Sequence, residues 1–147
     1  MRFEYNDGGR QAAGFQGAAG DCVCRAIAIA TGEPYQTIYD AINGVSKQYE
    51  RMGKRKRGKS SARNGVHKAT IRRIMESLGW RWVPTMQIGS GCKVHLRDGE
   101  LPMGRLVVNV SKHTVAVIDG VIQDTHDPSR GGTRCVYGYW KASPQVG

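Results

Sequence analysis

The sequence predicts an α+β protein in which a cysteine-bearing helix packs on a C-terminal antiparallel sheet. Three observations lead there. Apolar residues recur at helical spacing through the first half of the chain, as in Tyr35, Ile38, Tyr39, Ile42 and Val45. From Trp80 onward, short runs rich in Val, Ile, Tyr and Trp alternate with turn residues, which reads as strands. Between two of those runs stands Asp119-Gly120, a two-residue hairpin signal.

The first twenty residues are rich in Gly and Ala without periodicity and read as extended or looped. Asp21 is the expected N-cap of a first helix over Cys22 to Ala30, stopped by Thr31-Gly32. This helix is apolar nearly all round, which suits a buried central position. Pro34 fits the first turn of a second helix, whose apolar face is the Tyr35–Val45 stripe. Val66 to Leu78 reads as a third helix with Ile71, Ile74, Met75 and Leu78 inward and Gly79 at its C-terminus. Strands are expected at Trp80–Val83, Arg105–Val110, Thr114–Ile118, Val121–Thr125 and Arg134–Trp140. With no repeat and no linker, residues 1–147 form one expected domain.

Composition narrows the function classes. Hydrophobic content of 39% and charged content of 23% are ordinary for a globular chain. No apolar run is long enough to span a membrane, and Met1–Asp7 lacks the apolar core of a secretory signal, so the expected location is the cytoplasm. The four cysteines at 22, 24, 92 and 135 are then expected as thiols rather than disulfides. The net charge of +10 resides entirely in residues 47–73, which hold eleven Lys or Arg against one acid, Glu50. Lys54, Arg55, Lys56, Arg57 and Lys59 lie at its centre and suit contact with nucleic acid or another polyanion; a solvated loop is the plain alternative.

Chemistry concentrates at Cys22. It follows Gln16-Gly17-Ala18-Ala19-Gly20-Asp21, at the point where a glycine-rich loop becomes a helix. There the macrodipole favours a thiolate, although the charge of Asp21 opposes it. Gln16 is a candidate donor to an oxyanion. Far downstream, His113 opens an apolar strand, and the Asp119-Gly120 hairpin sets Asp124 diagonal to it, within reach of the imidazole. Asp124 would fix the tautomer and leave the other ring nitrogen to face a thiol. Asp127 is one residue out of phase and ranks second, and His126 is a neighbour of the base. Cys24 reads as a core residue. A zinc site lacks the usual C-x₂₋₄-C or paired-His spacing, and the glycines at 14, 17 and 20 do not follow a strand as a nucleotide loop would. No metal or cofactor is expected.

The Gln-Gly-x-x-Gly-x-Cys string resembles the nucleophile segment of papain-like cysteine peptidases, and His113-Thr114-Val115-Ala116-Val117 resembles that family's histidine strand. Small bacterial and phage-encoded versions are the nearer likeness. Three features depart from the pattern: Val23 replaces the usual aromatic, Asp124 lacks Asn-Ser-Trp surroundings, and Cys22 and His113 are 91 residues apart. The large enzymes separate the pair by ~130–150 residues. The resemblance implies a papain-like fold. It also implies a thiol hydrolase of amide bonds, peptide or isopeptide, with Cys22 as nucleophile, His113 as base, Asp124 as orienter and Gln16 as oxyanion donor; acyl transfer to an amine uses the same chemistry. The rival expectation is a non-catalytic binding module that docks nucleic acid or an acidic protein through residues 47–73.

Overall fold

The computed structural model describes residues 1–16, 20–50, 60–87 and 89–143. Lys54, Arg55, Lys56, Arg57 and Lys59, expected to contact a polyanion, lie outside the described residues, as do Gly17, Ala18 and Ala19. The element order is β1 (Arg2–Tyr5), α1 (Cys22–Thr31), α2 (Tyr35–Tyr49), α3 (Lys68–Ser77), β2 (Trp80–Pro84), β3 (Arg105–Val110), β4 (His113–Ile118), β5 (Val121–Asp124) and β6 (Val136–Ala142). The α+β class is as expected, and the three helices precede five of the strands, but β1 comes before them all. No described helix is long and apolar enough to cross a membrane.

The six strands form one sheet in the order β1-β5-β4-β3-β6-β2. It is mixed rather than purely antiparallel, because β1 pairs in parallel with β5, Tyr5 opposite Asp124. Of the extended or looped reading of residues 1–20, Arg2–Tyr5 take the extended form, as a strand. All four β1 residues are exposed, so β1 is held by backbone pairing at an edge rather than by the burial pattern a sequence displays. Its continuation donates the Asn6 N–H to the Asp124 carbonyl at 2.9 Å, which fixes the end of β5.

Asp119 and Gly120 both take positive φ (49° and 78°), the geometry of a tight primed turn, and Ile118 pairs with Val121. That register carries Asp124 back alongside His113. Alternation along the strands sends Val107, Ala116 and Trp140 into a helix-side core with Ile27, Ile38, Ile42 and Met75. Val108, Val115, Val117 and Ile122 form a second core on the opposite face, beneath Leu96. β4 is therefore apolar on both faces, and α1 lies across it. On β6, Gly138 permits a close approach: a Cβ there would stand 2.3 Å from the Trp82 ring.

The expectation of four free thiols is corrected. Cys92 and Cys135 form a disulfide whose Cα atoms are 5.9 Å apart. The pairing follows from an isolated antiparallel bridge between His95 and Cys135, which brings together residues 43 apart in sequence. It ties the segment covering the second core to the start of β6.

The basic segment is clamped at both ends. Its one acid, Glu50, is buried, accepts from the Ser60 N–H and the Thr70 hydroxyl, and stands 3.6 Å from His67. Burial would raise this carboxyl, but those hydrogen bonds and His67 hold it below the ordinary range. Ser60 itself accepts from the Ser46 hydroxyl at its carbonyl (2.7 Å) and from the His67 N–H at its own hydroxyl (2.8 Å). The end of α2 and the start of α3 are thus joined across residues 51–59.

Candidate active site

Cys22 is the first residue of α1 and half-buried, while Cys24, two residues on, is fully buried in the core. Their environments push the two thiols apart. Burial raises Cys24 to about 12. Burial also raises Cys22, but a hydrogen bond and the charge of His113, the Thr114 backbone N–H and the Arg25 charge outweigh it and leave this thiol below its ordinary value. Adjacent cysteines on one helix therefore differ in kind: one is a core residue and the other faces an imidazole.

His113 opens β4. Its Nε2 lies 2.7 Å from Asp124 Oδ2, so the diagonal contact expected from the hairpin register is present. The other ring nitrogen is left for Cys22. Burial would lower the imidazole, but the hydrogen bonds and charges of Asp124 and Cys22 raise it to about 9. Asp124 is buried; desolvation would raise it, but His113, the Thr125 N–H (2.7 Å to Oδ1) and the Arg25 charge hold it below the usual carboxylate range. Asp127 instead accepts the Ser129 N–H at 2.9 Å, capping its own turn. The His126 ring lies 5.3 Å from that of His113 and is exposed. Ligand atoms of His113, Asp124 and His126 fall within 4.8 Å of one another, which is compatible with holding a cation, although Nε2 and Oδ2 already engage each other.

Asp21 occupies the N-cap position without a side-chain cap, so its expected capping role is corrected. Its carboxylate faces away from the helix N–H groups, toward the Arg25 guanidinium, the Tyr35 hydroxyl (2.6 Å) and Arg10 Nε (3.4 Å). These partners absorb the charge that would oppose a thiolate at Cys22. Arg25 carries no sequence expectation, yet it links Asp21 to Asp124 Oδ1 at 3.3 Å and so ties the start of α1 to the end of β5. Its one signal is that it is the only charged residue in an otherwise apolar helix.

A cleft of about 1150 Å³ opens beside Cys22 and His113. One wall is the start of α3, with Val66, His67, Lys68 and Arg72; the other is the β3–β4 turn through Lys112. Trp82, Tyr137 and Trp140 line it from β2 and β6. Gln16 is not among its lining residues. It is exposed and borders a smaller hollow of about 380 Å³ with Arg10, Asp21 and Arg25, and its carbonyl accepts from Arg10 at 3.2 Å. Cys22, His113 and Asp124 are brought together, then, and Gln16 stands to one side. No family model matches the chain, and no curated protein or solved structure matches it.

Proposed function

We propose that this chain is a papain-like thiol hydrolase that cleaves an amide bond through Cys22, His113 and Asp124. One observation carries the reading: a half-buried thiol at a helix start faces an imidazole whose far nitrogen is 2.7 Å from a buried carboxylate. In this reading His113 holds the proton and Cys22 the negative charge, the direction in which each group is shifted. The Cys22 thiolate attacks the carbonyl carbon, and the electron pair moves to oxygen. As the tetrahedral species collapses, the C–N bond breaks and the imidazolium gives its proton to the departing amine. His113, now neutral, takes a proton from water, hydroxide displaces the thioester sulfur, and the carboxylic acid leaves. Asp124 keeps the ring oriented and favours its charged form. The Cys22 backbone N–H is assigned to the oxyanion; Gln16 is its second donor on its position six residues before Cys22, a role that requires its amide to turn from the smaller hollow toward the thiol.

Intact-mass labelling with limiting iodoacetamide from pH 4 to 9 tests this. Fast, single-site alkylation of Cys22 well below pH 8, slowed by His113→Ala, is the expected result. Slow labelling indifferent to His113 would remove the reading and turn attention to binding by residues 47–73.

A further inference from the structure

The cleft has a charge character that the hydrolytic chemistry does not require. Lys68 and Arg72 sit one helical turn apart on the α3 wall, and Lys112 rises from the β3–β4 turn on the opposite side, next to His113. All three are exposed, and no Asp or Glu is among the described residues that line the cleft. The acids around it are already committed. Asp21, Asp124 and Glu50 are at most 6% exposed and paired inward, and Glu76 is held by Arg72 at 3.1 Å, which leaves Lys68 and Lys112 as the cations facing the cleft without a carboxylate in the described lining. Beneath the cations the lining is apolar, with half-buried Val66 and Trp82 and exposed Tyr137 presenting the surface.

Resting on the hydrolase reading, we infer that the acyl substrate is an acidic peptide segment, its aliphatic parts against the apolar wall and its carboxylates between Lys112 and Lys68. Cations on both sides of the thiol favour an anion wherever it extends from the scissile bond. A nucleic acid fits less well. Base stacking needs open ring faces, but Trp140 is 3% exposed, with the Arg72 guanidinium and the Trp82 ring each 5.4 Å from its centroid, which leaves Tyr137 as the one exposed ring of the described lining. A nucleic acid also presents no amide to the thiol. Each exposed ion pair contributes a factor of roughly 1.5–5, so the cations together give on the order of tenfold selection at low salt, lost as salt rises.

The test compares two reagents that alkylate the same sulfur by displacing iodide, neutral iodoacetamide and anionic iodoacetate. The full chain is labelled at pH 6.5 in 20 mM and 500 mM NaCl, with free cysteine as reference. The expected iodoacetate-to-iodoacetamide rate ratio at Cys22 exceeds that of free cysteine about tenfold at 20 mM. It falls severalfold at 500 mM and in Lys68→Gln/Lys112→Gln, each ratio being taken against that protein's own iodoacetamide rate. A glutamate-rich hexapeptide should also slow iodoacetamide labelling of the wild type but not of that variant. A ratio equal to that of free cysteine, or one indifferent to the double substitution, overturns the inference and leaves the hydrolase intact. Protection by oligothymidylate without protection by the peptide also overturns it, in favour of nucleic acid. Inertness of Cys22 toward both reagents would remove the hydrolase reading itself.

Discussion

Two carboxylates at the base of the site, Asp21 and Asp124, share the Arg25 guanidinium but do different work. Asp124 acts on the imidazole, so Asp124→Asn keeps the shape and removes the charge that holds His113 protonated. The expected result is a Cys22 alkylation profile displaced to higher pH and a hydrolytic rate lower by roughly 10²–10⁴; an unmoved profile would free Asp124 from its role. Gln16→Ala should behave in the opposite sense. It leaves alkylation unchanged, because that reaction develops no oxyanion, and lowers kcat by roughly 10²–10³. Full retention of kcat would reassign the oxyanion donor to groups within the cleft. Gly138→Ala tests the wall: its Cβ would meet Trp82 at 2.3 Å, so the variant should lose about 1–3 kcal/mol in urea unfolding.

Among the elements, the 113–124 hairpin was legible in advance because its information is local. A turn dipeptide with two positive φ angles fixes the register, and the register sets which side chains share a face. The helices were legible for the same reason, each carrying its apolar stripe within a few turns. What stayed hidden depends on partners distant in sequence. β1 is an exposed edge whose pairing with β5 spans most of the chain, Arg25 reads as an anomaly until Asp124 arrives from 99 residues away, and Cys92 meets Cys135 only once the sheet exists. The disulfide yields an element-scale prediction. Closing a loop of 43 residues stabilises the fold by about 4 kcal/mol in the chain-entropy treatment, and typical values are ~2–4. Cys92→Ser/Cys135→Ser should lower urea stability by that order while Cys22 keeps its alkylation rate at low urea, since the bridge anchors the face away from the thiol. Loss of Cys22 reactivity at full folding would contradict that separation.

At the scale of the whole molecule, the thiol and the imidazole leave a mark on how stability varies with pH. His113 is raised from 6.5 to about 9, so its contribution is complete below pH 6.5 and lost as pH rises through 9. Cys22 is lowered from 9.0, so its contribution is complete above pH 9 and lost as pH falls. Asp124 and Glu50 are lowered from 3.8 and 4.5, and their contributions are lost only in acid. Above the lowered value of Cys22 and below pH 9 the folded pair carries one proton, on His113, and above pH 6.5 the unfolded chain also carries one, on the thiol. Folding then exchanges no net proton, and stability should be flat across that window even though each partner alone is strongly pH-dependent. Cys22→Ser removes one side of the balance. His113 keeps Asp124 and stays raised, so the variant takes up a proton on folding above pH 6.5 and loses stability with a limiting slope of about 1.4 kcal/mol per pH unit. Urea unfolding of both proteins at pH 6.5, 7.5 and 8.5 reads the difference directly. A level wild type beside a declining Cys22→Ser variant locates the proton on the imidazole; parallel curves would mean that the thiol and the imidazole do not share it, and the ion pair at the centre of the proposed mechanism would have to be abandoned.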